Sequence, residues 1–201
     1  MTSVRSSCFC IGVVFLLAGC TAPAPTVQRV PERCLGPETT IVARMPTPGG
    51  ESATTARGVY IEANTVLTVA HALPSNATAE GFAGLRRDDE RHLLLLQAET
   101  CGTPLAIAAG GMATGDALYD CTTKAIRGNV SGFEASAVAA SPTSSRTVML
   151  PNLAVLPGQF SPGDSGKPFC NAAGEVVGVL TAIRRGSALL IDAEELNAFV
   201  N

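Results

Sequence analysis

The sequence has no basic run longer than two residues, no Cys-x₂-Cys pair, no obvious internal repeat and no apolar stretch of membrane-spanning length. Each absence removes a class of function. Without a basic stripe there is no electrostatic footprint for nucleic acid. Without closely paired cysteines the chain offers no zinc-site spacing, and no metal or cofactor is expected. The apolar run at residues 9–18 is about half of the roughly 20 residues a transmembrane helix needs. Helical periodicity is also scarce. What remains is a chain of 201 residues, 46% of them apolar, enough for one globular unit or two small ones.

The apolar run follows Arg5 and ends in Leu17-Ala18-Gly19-Cys20, which resembles the lipobox of bacterial lipoproteins. The resemblance implies removal of residues 1–19 as a signal peptide and a diacylglyceryl group on the thiol of Cys20. An ordinary signal peptide or an uncleaved anchor is the alternative. Residues 20–33 hold Pro23, Pro25 and Pro31 and have little to bury, which predicts a semi-extended tether. The expected localisation is therefore the cell envelope, with a folded domain held at a membrane by its lipid. Thr21 after the cysteine resembles lipoproteins sorted to the outer membrane, where the host has two membranes. Loss of Arg5 with the signal peptide takes the net charge from −3 to −4. A secreted chain meets an oxidising compartment, where cysteines pair. Cys34, Cys101, Cys121 and Cys170 follow Cys20, and four cysteines allow three connectivities.

Short β-rich runs recur about every ten residues, at 39–44, 58–62, 65–70, 81–86, 93–97, 117–126, 130–138, 147–156, 175–183 and 188–191. Gly, Pro, Asn and Ser separate them. That rhythm predicts an all-β antiparallel sandwich or barrel protein. The best helix is the last segment, where Asp192-Ala-Glu-Glu195 has the form of a capping box ahead of Leu196, Phe199 and Val200. The glycines at 110, 111 and 115 mark the expected break, dividing the chain into units at 34–112 and 113–201.

Two segments carry chemistry. Arg57-Gly-Val-Tyr-Ile-Glu-Ala-Asn-Thr-Val-Leu-Thr-Val-Ala-His71 reads as two strands, the second ending in a histidine. Pro162-Gly-Asp-Ser165-Gly-Lys-Pro-Phe-Cys170 is a glycine-flanked turn followed by Asn171–Gly174 and a further strand. A serine hydroxyl is a poor nucleophile until a base takes its proton, and histidine suits that task near neutral pH. Either segment alone is ordinary turn or loop composition. Together, and in this order, they resemble the "LTAAH" and "GDSGGP" signatures of trypsin/chymotrypsin-like and HtrA-type serine peptidases, with the resemblance covering most of residues 39–201. It implies two antiparallel β-barrels of the six-stranded type with a short C-terminal helix. It also implies His71 and Ser165 as the catalytic pair and the amides of Gly163 and Ser165 as an oxyanion hole. Nothing resembles the I-V-G-G start of zymogen-activated relatives, so the enzyme is expected to be made in its working state. The 36 residues after Ser165 leave no room for a PDZ domain, and oligomeric state is not readable.

The family places an aspartate at the head of a strand reading like "DLALLKV". The match here is Asp88-Asp-Glu-Arg-His92-Leu-Leu-Leu-Leu-Gln97, which puts His92 in that position. Asp89 or Asp88 could serve instead if the strand shifts, and the cluster also reads as a solvated turn. The interval from His71 is short for the family, leaving room for a trimmed first barrel. By the same resemblance Gln159 lies at the base of the primary specificity pocket with Thr181 and Ile183 on its wall, which favours a small or medium apolar substrate side chain. Relatives bridge the regions of Cys121 and Cys170, and can tie down the N-terminal segment, which implies Cys121–Cys170 and Cys34–Cys101. The function implied is a serine endopeptidase acting on envelope or extracellular proteins, with a protein or peptide as its partner. The alternative is a pseudo-peptidase that binds protein without cleaving it.

Overall fold

A computed structural model of the protein describes residues 34–139 and 146–201. The signal-peptide, tether and Cys20 lipidation expectations fall on residues 1–33, outside the described residues. β1 (Glu38–Thr47) and β2 (Gly50–Glu62) form a long hairpin, with Thr47 opposite Gly50 and Glu38 opposite Val59. Then come β3 (Thr65–Val69), a single 3₁₀ turn at Ala70–Ala72, β4 (Thr78–Ala79), β5 (Phe82–Asp88) and β6 (Leu93–Ala98). These six strands close into a barrel in the order β1-β2-β3-β6-β5-β4. The barrel therefore keeps six strands, and the shortening falls on β4, which has only two residues.

The second unit holds β7 (Ala117–Asp120), β8 (Ile126–Asn129), β9 (Gly132–Ala139), β10 (Thr147–Pro157), β11 (Pro168–Cys170), β12 (Val176–Arg184) and β13 (Ser187–Asp192). They form one antiparallel sheet in the order β8-β7-β11-β12-β13-β10-β9, seven strands rather than six. The run at 117–126, expected as one strand, is two. Asp120 Oδ1 accepts hydrogen bonds from the amides of Thr122 and Thr123, which turns the chain between β7 and β8. The N-cap half of the expected capping box is formed at α1 (Ala193–Val200), where the Asp192 carboxylate accepts the Glu195 amide at 3.2 Å, while the Glu195 carboxylate pairs with Arg91.

Alternation explains the first barrel's core. Ile41, Ala43 and Met45 on β1 point inward between exposed neighbours. β6 instead buries four leucines in a row. Leu94 and Leu96 fill the barrel with Ile41, Tyr60 and Val66. Leu93 and Leu95 face the opposite way, into a cluster shared with Val176, Val179, Leu189, Leu196 and Phe199 of the second unit. A strand covered on both faces loses its polar alternation. One core therefore joins the two units, and Arg86 of β5 caps it by stacking over the Phe199 ring at 4.9 Å. The disulfides are Cys34–Cys101 and Cys121–Cys170, the expected pairing, with Cα separations of 4.8 and 5.1 Å.

Candidate active site

His71 sits in the 3₁₀ turn that ends β3. The turn is stapled to the segment bearing the second histidine, because the Ala70 amide donates to the His92 carbonyl at 2.9 Å. His92 ends the turn between β5 and β6 with a φ of 60°, left-handed backbone that few non-glycine residues adopt. Asp88 builds that turn. Its Oδ1 accepts the amides of Glu90 and Arg91, and its Oδ2 pairs with Arg91 at 2.8 Å. Asp89 pairs with Arg87 at 2.6 Å. Both aspartates are thus engaged away from His71. It is His92, fully buried, that reaches it, with Nε2 2.6 Å from His71 Nδ1 and the rings stacked 4.9 Å apart.

Ser165 is held from both sides. Its carbonyl accepts the Arg57 amide of β2 at 2.7 Å, and the next amide, of Gly166, donates to the Leu180 carbonyl of β12 at 2.7 Å. Position 166 has a φ of 83°, and a Cβ there would run into the Arg57 carbonyl and the Thr68 hydroxyl. Only glycine fits that site. Asp164, whose partner the sequence did not show, folds the turn on itself. Its Oδ2 accepts the Ser161 amide at 2.8 Å, and its carbonyl accepts the Lys167 amide. The amides of Gly163 and Ser165 donate to nothing among the described residues and remain available to a ligand oxygen.

His71, Gly163 and Ser165 line one cleft of about 490 Å³ between the barrel and the second sheet. Ala53 and Thr55 of β2 form one wall, and Val138, Ala139, Thr181 and Ala182 the other. Among the described residues that line it, His71 alone has an ionisable side chain. Two expected pocket residues lie elsewhere. Gln159 is exposed because its neighbour Phe160 turns inward against Phe169, edge-on at 6.0 Å, which directs Gln159 to solvent. A bulge between Leu180 and Ala182 shifts the side-chain alternation of β12, so Ala182 faces the cleft and Ile183 is 39% exposed. Thr181 does line the cleft.

The electrostatics of the pair are unlike those of a histidine beside a carboxylate. Burial pushes His71 down to about 4, and the charge of Arg87 adds to that. His92 is pushed down by burial first, then by His71 and Arg87, with Asp89 opposing. Both rings are neutral at neutral pH, so one proton lies between Nδ1 and Nε2. If His71 donates, its Nε2 lone pair is free to act as a base, and His92 must carry its other proton on Nδ1. That atom is buried and has no hydrogen-bond partner among the described residues. If His92 donates instead, His71 holds its proton on Nε2 and cannot take one from serine. The Ser165 hydroxyl makes no hydrogen bond among the described residues. Such contacts commonly tighten only when substrate binds.

No protein-family model matches the sequence, and no curated protein matches it. Solved structures do. The Rv3671c protease of M. tuberculosis in its active form superposes with a TM-score of 0.62 at 16% identity, over 81% of this chain and 79% of that one. Its inactive form gives 0.58 at 17%, over 80% and 86%. The fold is chymotrypsin-like. In this chymotrypsin-like frame one neighbour of the site was not singled out from the sequence. Arg87 lies near the end of β5, beside the charged turn that follows, and its guanidinium reaches the turn that carries His71.

Proposed function

We propose that the chain is a serine endopeptidase that hydrolyses peptide bonds of envelope or extracellular proteins through an acyl-enzyme on Ser165. The observation that carries this reading is the convergence of His71, Ser165 and two unengaged amides, of Gly163 and Ser165, on one open cleft. Ser165 would attack the carbonyl while His71 Nε2 takes its proton and later returns it to the leaving amine. The amides of Gly163 and Ser165 would hold the oxyanion, each worth about 3–4 kcal/mol in the transition state. His92 would accept from His71 Nδ1–H and fix the tautomer, contributing no negative charge. The name of the structural neighbour, a protease, supports the same reading. A lining of Val138, Ala139, Thr181 and Ala182 favours small or medium uncharged side chains next to the scissile bond. Attachment through a lipid on Cys20 completes the proposal.

A binding module that no longer cleaves is the second reading, and one observation favours it. The imidazolium that forms during catalysis would face a neutral histidine and the cation of Arg87 instead of a carboxylate. Incubating the purified domain with an unfolded protein substrate, beside a Ser165→Ala control, separates the two. Slow cleavage after uncharged residues, lost in the control, supports the peptidase. Retained binding with no cleavage by either protein favours the binding module.

A further inference from the structure

Resting on the peptidase reading, we infer that Arg87 is a positioning residue that fixes the His71 turn against the His92 turn. Its Nη1 donates to two carbonyls at once, those of Ala70 at 3.0 Å and Leu73 at 2.8 Å, on either side of His71. Its Nε is held at 2.6 Å by Asp89, three residues before His92. One planar side chain therefore ties together the two segments whose histidines meet at 2.6 Å.

The local structure needs such a tie. The turn at Ala70–Ala72 is a single 3₁₀ turn with no side-chain cap, and its carbonyls lie at the end of a strand with no following helix to engage them. A charged donor shared between two carbonyls is stronger than a neutral one. Guanidinium is also the side chain whose fixed fork can serve the carbonyls and the carboxylate together. A lysine ammonium is a point charge and cannot hold both ends in one plane. Arg87 acts on both histidines, while His71 and Asp89 act on His92. Arg87 is only 27% exposed at its side chain, so its charge is felt through protein rather than through bulk water.

Two readouts test the assignment independently of each other. Fluorophosphonate labelling rates of Arg87→Met and Arg87→Lys report geometry. Ring-nitrogen NMR titration of His71, in a Ser165→Ala background, reports the local field without requiring activity. Arg87→Met is expected to label about 10- to 100-fold more slowly, as a misplaced base would. Its His71 titration should move to higher pH, because the cation that opposed protonation is gone. Arg87→Lys keeps the charge and should hold the titration near that of the parent, while labelling falls between the two. Labelling of Arg87→Met at the parent rate with an unmoved His71 titration would overturn the assignment. Should Arg87→Met not fold, the titration and labelling of Arg87→Lys and Asp89→Asn carry the test, and parent-like values in both would refute it. If the parent itself does not label, the peptidase reading fails. A shifted His71 titration in Arg87→Met then still places Arg87 on the histidine turn.

Discussion

His92 carries two unusual properties at one position, a left-handed backbone and a buried ring whose Nδ1 has no partner among the described residues. Both go with the placement of its ring against His71. The turn set by Asp88 turns the ring inward, and only one ring nitrogen faces another polar group. A carboxylate in that place stabilises the imidazolium formed in the transition state, and its loss costs about 10⁴ in rate in the serine peptidase from which the role was worked out. His92→Asp is therefore expected to raise the rate of serine acylation at pH 8 by at least about tenfold, and His92→Ala to lower it. Stopped-time labelling of the two variants checks this, and a silent His92→Asp would remove His92 from the catalytic account. The position itself was legible in the sequence from the register of the leucine run. Its low protonation tendency was not, because an isolated histidine titrates near 6.5 and only the burial seen in three dimensions moves it.

Among the elements, legibility followed length and periodicity. The Asp192 cap ahead of α1 is a local pattern, and it forms as read. Asp192→Ala should accordingly lower stability by about 1 kcal/mol, measured as a shift in the urea midpoint at constant slope. A loss well above that would mean Asp192, which is buried, does more than cap the helix. The leucine run of β6 was also plain, whereas the runs at 39–44 and 58–62 caught only parts of β1 and β2. β4 and β11, with two and three residues, are too short to show any period. The 117–126 run hid its turn because the signal is one side chain, Asp120, folding back on the amides that follow it. The pocket expectations at Gln159 and Ile183 failed for non-local reasons. Phe160 packs inward on Phe169, and a bulge in β12 offsets the alternation, and neither shows in the residues concerned.

For the molecule as a whole, the neutral histidine pair makes stability depend on pH. Both rings are held below their ordinary value, so between about pH 6.5 and 4 the unfolded chain binds protons that the folded chain does not. Folding stability should then fall as pH is lowered through that window, by about 1.4 kcal/mol per pH unit for each histidine. Asp120 has the same sign in a lower window. Its carboxyl is opposed by burial but held down to about 2 by the Thr123 amide and Lys167, so its contribution is lost only below the window, as pH falls from about 4 toward 2. Urea unfolding at pH 7 and pH 5 should show the histidine slope, and His92→Gln should about halve it. An unchanged midpoint would mean that the pair is protonated in the folded state. The shared core joins the barrel to the second sheet, and each disulfide staples one of the two, which is an arrangement suited to a peptidase cleft. The most direct test of that function is reaction of the purified domain with a fluorophosphonate, followed by peptide mapping. The account predicts a single adduct on Ser165, formed slowly, lost in Ser165→Ala and strongly reduced in His71→Ala. No adduct on Ser165 in the folded protein, or equal labelling of His71→Ala, would contradict it.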